Sequence, residues 1–388
     1  MATLQTVEAL VEVAEAHYRD SALDALARVK ERGLAAVGCA PAYVPAEIID
    51  AAGAVPVSLL GAGPSLEVVQ GDAYFQSAIC HLPRSLVELG LRGALAPLSL
   101  VVVPSTCDVL RNLTGMWQLL FPAQRVRFLD LPQRYDAEGF AFYRRELAAL
   151  AADVSGAVGA PIAEDGLREA IARGNRRRRI VWELETMRDR EPWRVRTSDF
   201  WLAVRVGAVM TPSEHVAFLE AFLDASRRAE RPPLDVARVV VTGAFCEQPP
   251  LGFLRTLERA GCAIVSDDLL LGMRWLRVAV DETGDPLDAL ARAYLEHSPL
   301  APCRYEGHAR RGDAIVAAVR RHEAAGVIYA TPSFCDPALL DRPAILAALE
   351  RAGIPCVQLQ YAENSVDFGS VREQAGTFAD ALRLWEVA

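Results

Sequence analysis

A chain of 388 residues, 52% hydrophobic and 23% charged, has the length of two ordinary domains and the composition of a folded protein, which excludes a disordered one. Its net charge of −9 argues against nucleic acid or an anionic membrane surface as the main partner. No run approaches the about 20 uninterrupted apolar residues of a membrane span, and the acidic amino terminus does not read as a signal peptide, so a cytoplasmic protein is expected.

In chain order, residues 1–34 read as an N-terminal helix. Apolar runs rich in Val and Ile then predict strands near 35–38, 54–59, 99–103 and 126–129, with helices over 84–90 and 136–152. Residues 160–230 carry no strand-like run and predict a helical bridge, in which Ser213 is the expected N-cap of a helix after Thr211-Pro212. Further strands follow near 238–242, 262–266, 326–330 and 355–359, separated by helices at 251–260, 312–324 and 338–352. Strand and helix alternating in this way predict an α/β fold of two Rossmann-like parallel-sheet halves, first at 35–159 and second at 231–388.

The halves share a plan. Residues 35–60 (AAVGCAPAYVPAEIIDAAGAVPVSLL) and 239–268 (VVVTGAFCEQPPLGFLRTLERAGCAIVSDD) each give a strand, a cysteine corner with prolines, a helix ending in Ala-Gly, and another strand. Later in each half a strand ends in Pro-Ser-x-Cys-Asp, at 104–108 and again at 332–336. Agreement in order and spacing predicts an internal duplication of a four-stranded unit.

In open parallel sheets ligands bind beyond the carboxyl ends of the strands. Cys107 and Cys335 follow strand ends in the two halves, Cys246 and Cys39 follow two more, and Cys80 precedes a helix marked by Pro83 and Ser85. The chain has no C-x-x-C pair, so a zinc ribbon is not suggested, and a catalytic nucleophile would need only one cysteine with a base. An iron–sulfur cluster accepts thiolates from separated loops. Spacing alone leaves both a cluster and ordinary buried thiols open; with eight cysteines, a disulfide framework is not expected. Lys30 is the only lysine, which excludes a GxxxxGK[ST] phosphate loop, and no G-x-G-x-x-G follows a strand. ATP or a nicotinamide, if used, is expected on another chain.

The stretches YVPAEIIDAAGAVPV (43–57), SAICHLPRS (77–85), PSTCDVLRNL (104–113), PSFCDP (332–337) and REQAGTFADAL (372–382) carry a nearly end-to-end resemblance. The chain resembles the iron–sulfur subunits of the 2-hydroxyacyl-CoA dehydratase and benzoyl-CoA reductase family. GDAYFQS (71–77), FCEQPP (245–250), FCDPALLDRP (334–343) and YAENS (361–365) look like its ATP-dependent reductase branch, on the side of the C (gamma) subunits. The resemblance implies a catalytic half made of two related iron–sulfur subunits acting on an aryl-CoA substrate. It also implies ATP-hydrolysing partner subunits that bind ATP and Mg and pass in electrons from ferredoxin.

The family's cluster cysteines fall on Cys80, Cys107 and Cys335, which would hold a [4Fe–4S] cluster with one iron left to a non-cysteine ligand. Cys246 departs from the broader family and is read as a fourth ligand, a ligand to a larger iron–sulfur cluster, or a packed bystander. Cys39 is a weaker candidate, and Cys262, Cys303 and Cys356 read as core or surface thiols. The alternatives are a 2-hydroxyacyl-CoA dehydratase (lyase) subunit and an electron-relay subunit that binds no substrate.

No catalytic acid is assigned. His81 reads as a solvent-facing loop residue, and Asp108 and Asp336 as caps of the helices that follow, while Glu47 and Glu247 adjoin the proposed corners. Tyr43 and Tyr74 read as pocket lining or ordinary packing. The run NRRRRI (175–180) reads as a solvated basic helix face or a subunit contact rather than a grip on CoA phosphates. The six tryptophans, Trp117, Trp182, Trp193, Trp201, Trp275 and Trp385, read as core or interface residues.

Overall fold

The computed structural model describes residues 6–20, 24–269, 274, 276–301 and 310–386. Cys303, Trp275 and the side chain of Trp385 lie outside the described residues. Helices α1 (Val7–Tyr18) and α2 (Asp24–Glu31) lead into β1 (Ala36–Cys39), α3 (Ala46–Ala51), β2 (Val55–Ser58), α4 (His81–Leu91), β3 (Leu100–Pro104), α5 (Asp108–Leu120), β4 (Val126–Leu129) and α6 (Ala137–Val158). A helical stretch follows: α7 (Glu164–Arg190), α8 (Thr197–Arg205) and α9 (Pro212–Arg228). The chain continues through β5 (Ala237–Thr242), α10 (Leu251–Arg259), β6 (Cys262–Asp267), α11 (Pro286–His297), α12 (Arg311–Arg321), β7 (Gly326–Pro332), α13 (Asp336–Arg351), β8 (Cys356–Tyr361) and α14 (Gly369–Glu386).

All eight predicted strands form, and they pair in parallel as two sheets of order β2-β1-β3-β4 and β6-β5-β7-β8. The two orders are the same once β5 is matched to β1, as a duplication requires. The central strands β1, β3 and β7 are buried at every position, which is why they read as unbroken apolar runs. Edge strands β4 and β8 are partly exposed and more polar.

Ser213 is not the cap of α9. Pro212 fixes its own φ at the first helical position, so Thr211 takes the cap and forms a reciprocal capping box with Glu214. Asp136 caps α6 by accepting from the Glu138 and Gly139 amides.

Helices from each sequence region cross to the other sheet. On α1, Val7, Leu10 and Ala14 join the apolar core around β5 and α9. α11 lies on α6, with the Tyr294 ring 4.6 Å from that of Tyr143 and Arg144 bonded to Asp288 at 2.6 Å. α7 reaches both sheets. Its Arg178 pairs with Glu47 of α3 at 2.7 Å, and its Arg188 pairs with Asp267 at the end of β6 at 2.6 Å. The basic run is therefore not a solvated face: Arg176 and Arg179 are exposed, but Arg177 and Arg178 are buried, because the α7 stripe against α3 passes through them.

Asp267 also takes Arg274 at 2.5 Å, and Arg274 in turn takes Glu185 at 2.6 Å. Burial works against the Asp267 charge, but Arg274 and Arg188 outweigh it and hold the carboxyl far below the usual carboxylate range. Asp267→Ala would leave two buried guanidiniums without their shared partner. It is expected to destabilise the chain by roughly 3–5 kcal/mol in urea unfolding, against under about 1 kcal/mol for a surface pair such as Arg227–Glu183.

Candidate functional site

Two of the thiols of interest stand where a strand hands over directly to a helix. β3 ends at Pro104, and Cys107 is the N-cap of α5; β7 ends at Pro332, and Cys335 is the N-cap of α13. Cys80 is the N-cap of α4. Asp108 and Asp336 therefore do not cap: they occupy the first helical position, because the cysteine before each holds the cap. Phe334 reaches this corner with φ +61, a left-handed conformation rare for a bulky residue, and its side chain is half exposed at the mouth.

The second half supplies a further corner. After β5, Gly243 turns with φ +104 where a Cβ would strike the Ala330 carbonyl and the Tyr329 ring, and the chain then enters Phe245-Cys246-Glu247. Cys80, Cys107, Cys246 and Cys335 line one cavity of about 420 Å³ between the sheets, with Glu247, Asp108, Asp336 and Asp341. Leu82, Leu110, Phe245 and Leu340 supply apolar wall, and no Lys, Arg or His side chain is among the lining residues. Among the described residues no three His, Cys, Asp or Glu side chains draw close enough to share one metal ion.

Burial pushes the Cys80, Cys107 and Cys335 thiols up. It does so most for Cys80, where Glu247, Cys335 and Cys107 add their charge, and it brings Cys335 to about 12. Burial also dominates at Cys107, partly offset by the Leu110 and Val109 amides of α5. The Cys246 thiol donates to Thr106 Oγ1 at 3.6 Å, linking the β5 corner to the β3 corner. Cys39 closes β1 and does not line this cavity; Cys262 is buried beneath α14, and Cys356 sits half-buried in β8.

A carboxylate pair braces the Cys80 corner. Glu247 Oε2 accepts from the His81 amide at 2.8 Å and the Leu82 amide at 3.2 Å, so it, and not a neighbouring side chain of α4, satisfies the start of that helix. Its Oε1 accepts from the Glu363 amide at 2.6 Å. Burial, then the charge of Glu363, raises the Glu247 carboxyl to about 7.

His81 is not solvent-facing: its Nδ1 lies 2.8 Å from Glu363 Oε2, and its ring is about nine-tenths buried. Burial pulls its proton affinity down, but Glu363 outweighs that and the balance is raised. Glu363 also accepts from the Gly63 amide and Ser85 Oγ, and Gly61, with φ +83, has no Cβ to collide with its carboxylate. Glu363, inside the YAENS stretch, is a site residue that sequence reasoning missed. The signal was an acidic residue two positions past a strand end.

Tyr43 is buried against Tyr294, and Tyr74 is exposed, so neither lines the cysteine cavity. Trp117 and Trp201 are core; Trp182 stands exposed. Glu247→Ala removes the acceptor of three amides at once. It is expected to cost about 2–4 kcal/mol in urea unfolding, whereas exposed Glu138→Ala should lie within about 0.5 kcal/mol of the parent.

No helix among the described residues is long and apolar enough to cross a membrane. The family model described as 2-hydroxyglutaryl-CoA dehydratase, D-component, matches residues 41–382. The chain is 43% identical over 347 residues to the C subunit of benzoyl-CoA reductase from Thauera aromatica, covering 89% of this chain and 90% of that one. It is 25% identical to the (R)-phenyllactyl-CoA dehydratase beta subunit of Clostridium sporogenes, over 91% of this chain and 93% of that one. It is 27% identical to the beta subunit of (R)-2-hydroxyglutaryl-CoA dehydratase from Acidaminococcus fermentans, over 92% and 95%. With one family model that covers seven of the eight strands and all four cavity cysteines, the chain belongs to the 2-hydroxyglutaryl-CoA dehydratase D-component family.

Proposed function

We propose that the chain is an iron–sulfur catalytic-core subunit of an ATP-dependent benzoyl-CoA reductase. That enzyme adds two electrons and two protons to the aromatic ring of benzoyl-CoA, giving a cyclohexadiene-1-carbonyl-CoA. The observation that carries the reading is the meeting of Cys80, Cys107 and Cys335 at one cavity, each at a helix N-terminus. Similarity to a reductase subunit at 43% identity, against 25–27% for dehydratase subunits, favours reduction over dehydration.

The residues fit a cluster. Thiols are the donors iron–sulfur centres take, and these are held protonated by burial unless a cationic group joins them. No basic side chain lines the cavity to serve instead, and its volume of about 420 Å³ leaves room for a polynuclear group. Cys80, Cys107 and Cys335 would hold a [4Fe–4S] cluster, with Cys246 as a fourth ligand or part of a larger one. Bound there, the cluster would supply one-electron chemistry within the roughly −700 to +450 mV range of such centres.

The chain's own residues prepare the site. Amides at the starts of α5 and α13 face Cys107 and Cys335 and favour negative charge there, while those at the start of α4 are taken by Glu247. Leu82, Leu110 and Phe245 keep water from the cavity wall, and the His81–Glu363 bond holds a proton at His81 Nδ1. Adding an electron to an aromatic ring breaks its delocalisation, so an outside source of free energy is expected. ATP-hydrolysing partners fed by ferredoxin would provide it, alongside a second iron–sulfur subunit. We read the chain as cytoplasmic, with halves at 35–159 and 231–388 and a bridge at 160–230; the single N-terminal helix expected over 1–34 is instead the two helices α1 and α2.

The dehydratase reading keeps its support in the beta-subunit relatives, which the chain matches over nine-tenths of its length. Redox stoichiometry separates the two: the reductase consumes ATP and two electrons per product, the dehydratase only catalytic amounts. A relay subunit would carry a cluster yet never crosslink to an aryl-CoA.

Purified without oxygen, the chain is expected to be brown and to contain iron and sulfide. Cys335→Ala should lose most of that iron and Cys356→Ala should keep it; equal iron in both variants would refute the ligand assignment.

A further inference from the structure

A second concavity lies away from the cysteine cavity, beyond the carboxyl ends of β1 and β2, with α7, Arg274, Leu276 and Arg277 along its other side. Its lining includes Arg177, Arg178, Arg205, Arg274 and Arg277 against one carboxylate, Glu185. Three of these arginines are accounted for. Arg178 pairs with Glu47, Arg274 with Glu185 and Asp267, and Arg205 rests on the Tyr18 and Trp201 rings.

Arg177 is different. It is 7% exposed, its Nε has no hydrogen-bond partner, and no carboxylate lies within ion-pair distance of it among the described residues. Burial pulls its guanidinium down to about 10, with Glu47 only partly compensating. Folding rarely leaves a guanidinium buried and unpaired unless a ligand completes it. Arg277, at the rim, bonds the Asp267 carbonyl at 2.6 Å and no carboxylate among the described residues. His215 adds no charge, because burial lowers it to about 3.

The enclosed space is about 70 Å³, room for roughly five waters or one phosphoryl group and not for a whole nucleotide. The rest of a ligand would extend outward, and there Trp182, 61% exposed, offers an open ring face beside apolar Val181. Arginine forks grip phosphate in two-point fashion, and a free indole stacks on a flat base.

We propose that this concavity binds the phosphate end of an adenine nucleotide, with Arg177 and Arg277 on the phosphate and Trp182 against the base. Coenzyme A and a free nucleotide share that chemistry. The assignment does not depend on iron at the cysteine cavity, and its failure would leave that reading untouched.

The full-length chain is titrated with pyrophosphate, ADP, coenzyme A and phosphate-free adenosine, following thermal shift and calorimetric Kd. The three phosphate-bearing probes should bind and raise Tm, and adenosine should not. Tighter binding of coenzyme A than of ADP by about tenfold assigns the thioester carrier; equal or tighter ADP assigns a free nucleotide. Arg177→Met should weaken all three by at least about tenfold while leaving the ligand-free Tm unchanged or higher, since it removes an uncompensated buried charge. Arg277→Ala, on the rim, should weaken them about threefold without affecting folding, and Trp182→Ala should weaken ADP and coenzyme A but not pyrophosphate. No Kd below about 1 mM for any phosphate probe, or unaltered binding by Arg177→Met and Arg277→Ala together, overturns the site.

Discussion

The structure depends on one geometric fact of parallel sheets: a crossover helix begins where a strand has just ended. Its unpaired amides therefore face the same edge as the strand's carboxyl end. Two sheets of equal strand order, β2-β1-β3-β4 and β6-β5-β7-β8, bring two such edges together. A cysteine at the cap position then has no freedom to face elsewhere. The repeated Pro-Ser-x-Cys-Asp corner is the sequence trace of this constraint: proline ends the strand, cysteine caps, and aspartate opens the helix at the position its charge prefers.

What keeps the two edges in register is charge buried in the helical bridge. α7 sends Arg178 to α3 and Arg188 to β6, so one rigid helix is pinned to both sheets. Gly174 matters at the first of these, because a Cβ there would press into the Glu47 carboxylate and the Arg178 guanidinium. A chain with a single lysine makes its buried contacts with arginine, whose planar fork satisfies a carboxylate from a fixed direction where an ammonium would not. The swapped helices α1 and α11 add apolar contact across the same divide.

The strands were legible because fully buried parallel strands are uninterrupted apolar runs, and V-V-V at 101–103 and 239–241 admits little else. The cysteine corners were legible for the same reason, being fixed to strand ends. Side chains whose roles depend on partners far along the chain were not. Nothing near His81 announces Glu363, 282 positions away, so exposure was the natural expectation for a histidine beside a loop cysteine. NRRRRI misled because four consecutive charges normally mean solvent, and only the packing of α3 on α7 selects Arg177 and Arg178 for burial. Ser213 misled by two residues, since Pro212 decides where the helix starts and Thr211 caps it.

The charges around the cysteine cavity bear on what a cluster seated there could do. The N-termini of α5 and α13 together offer roughly +1 elementary charge, which taken alone would favour the reduced, more negative state and raise its potential. Asp108 and Asp336, at the first position of those helices, each set a full negative charge against about half a positive one. Asp341 at the rim is paired with Arg311 and adds little, while Glu247 adds more whenever it ionises. The sum is negative, and with no lysine, arginine or histidine on the wall to reverse it, added electrons are held weakly. A cluster seated in such a site would be a strong reductant that is hard to charge, and charging it would call for an outside source of free energy.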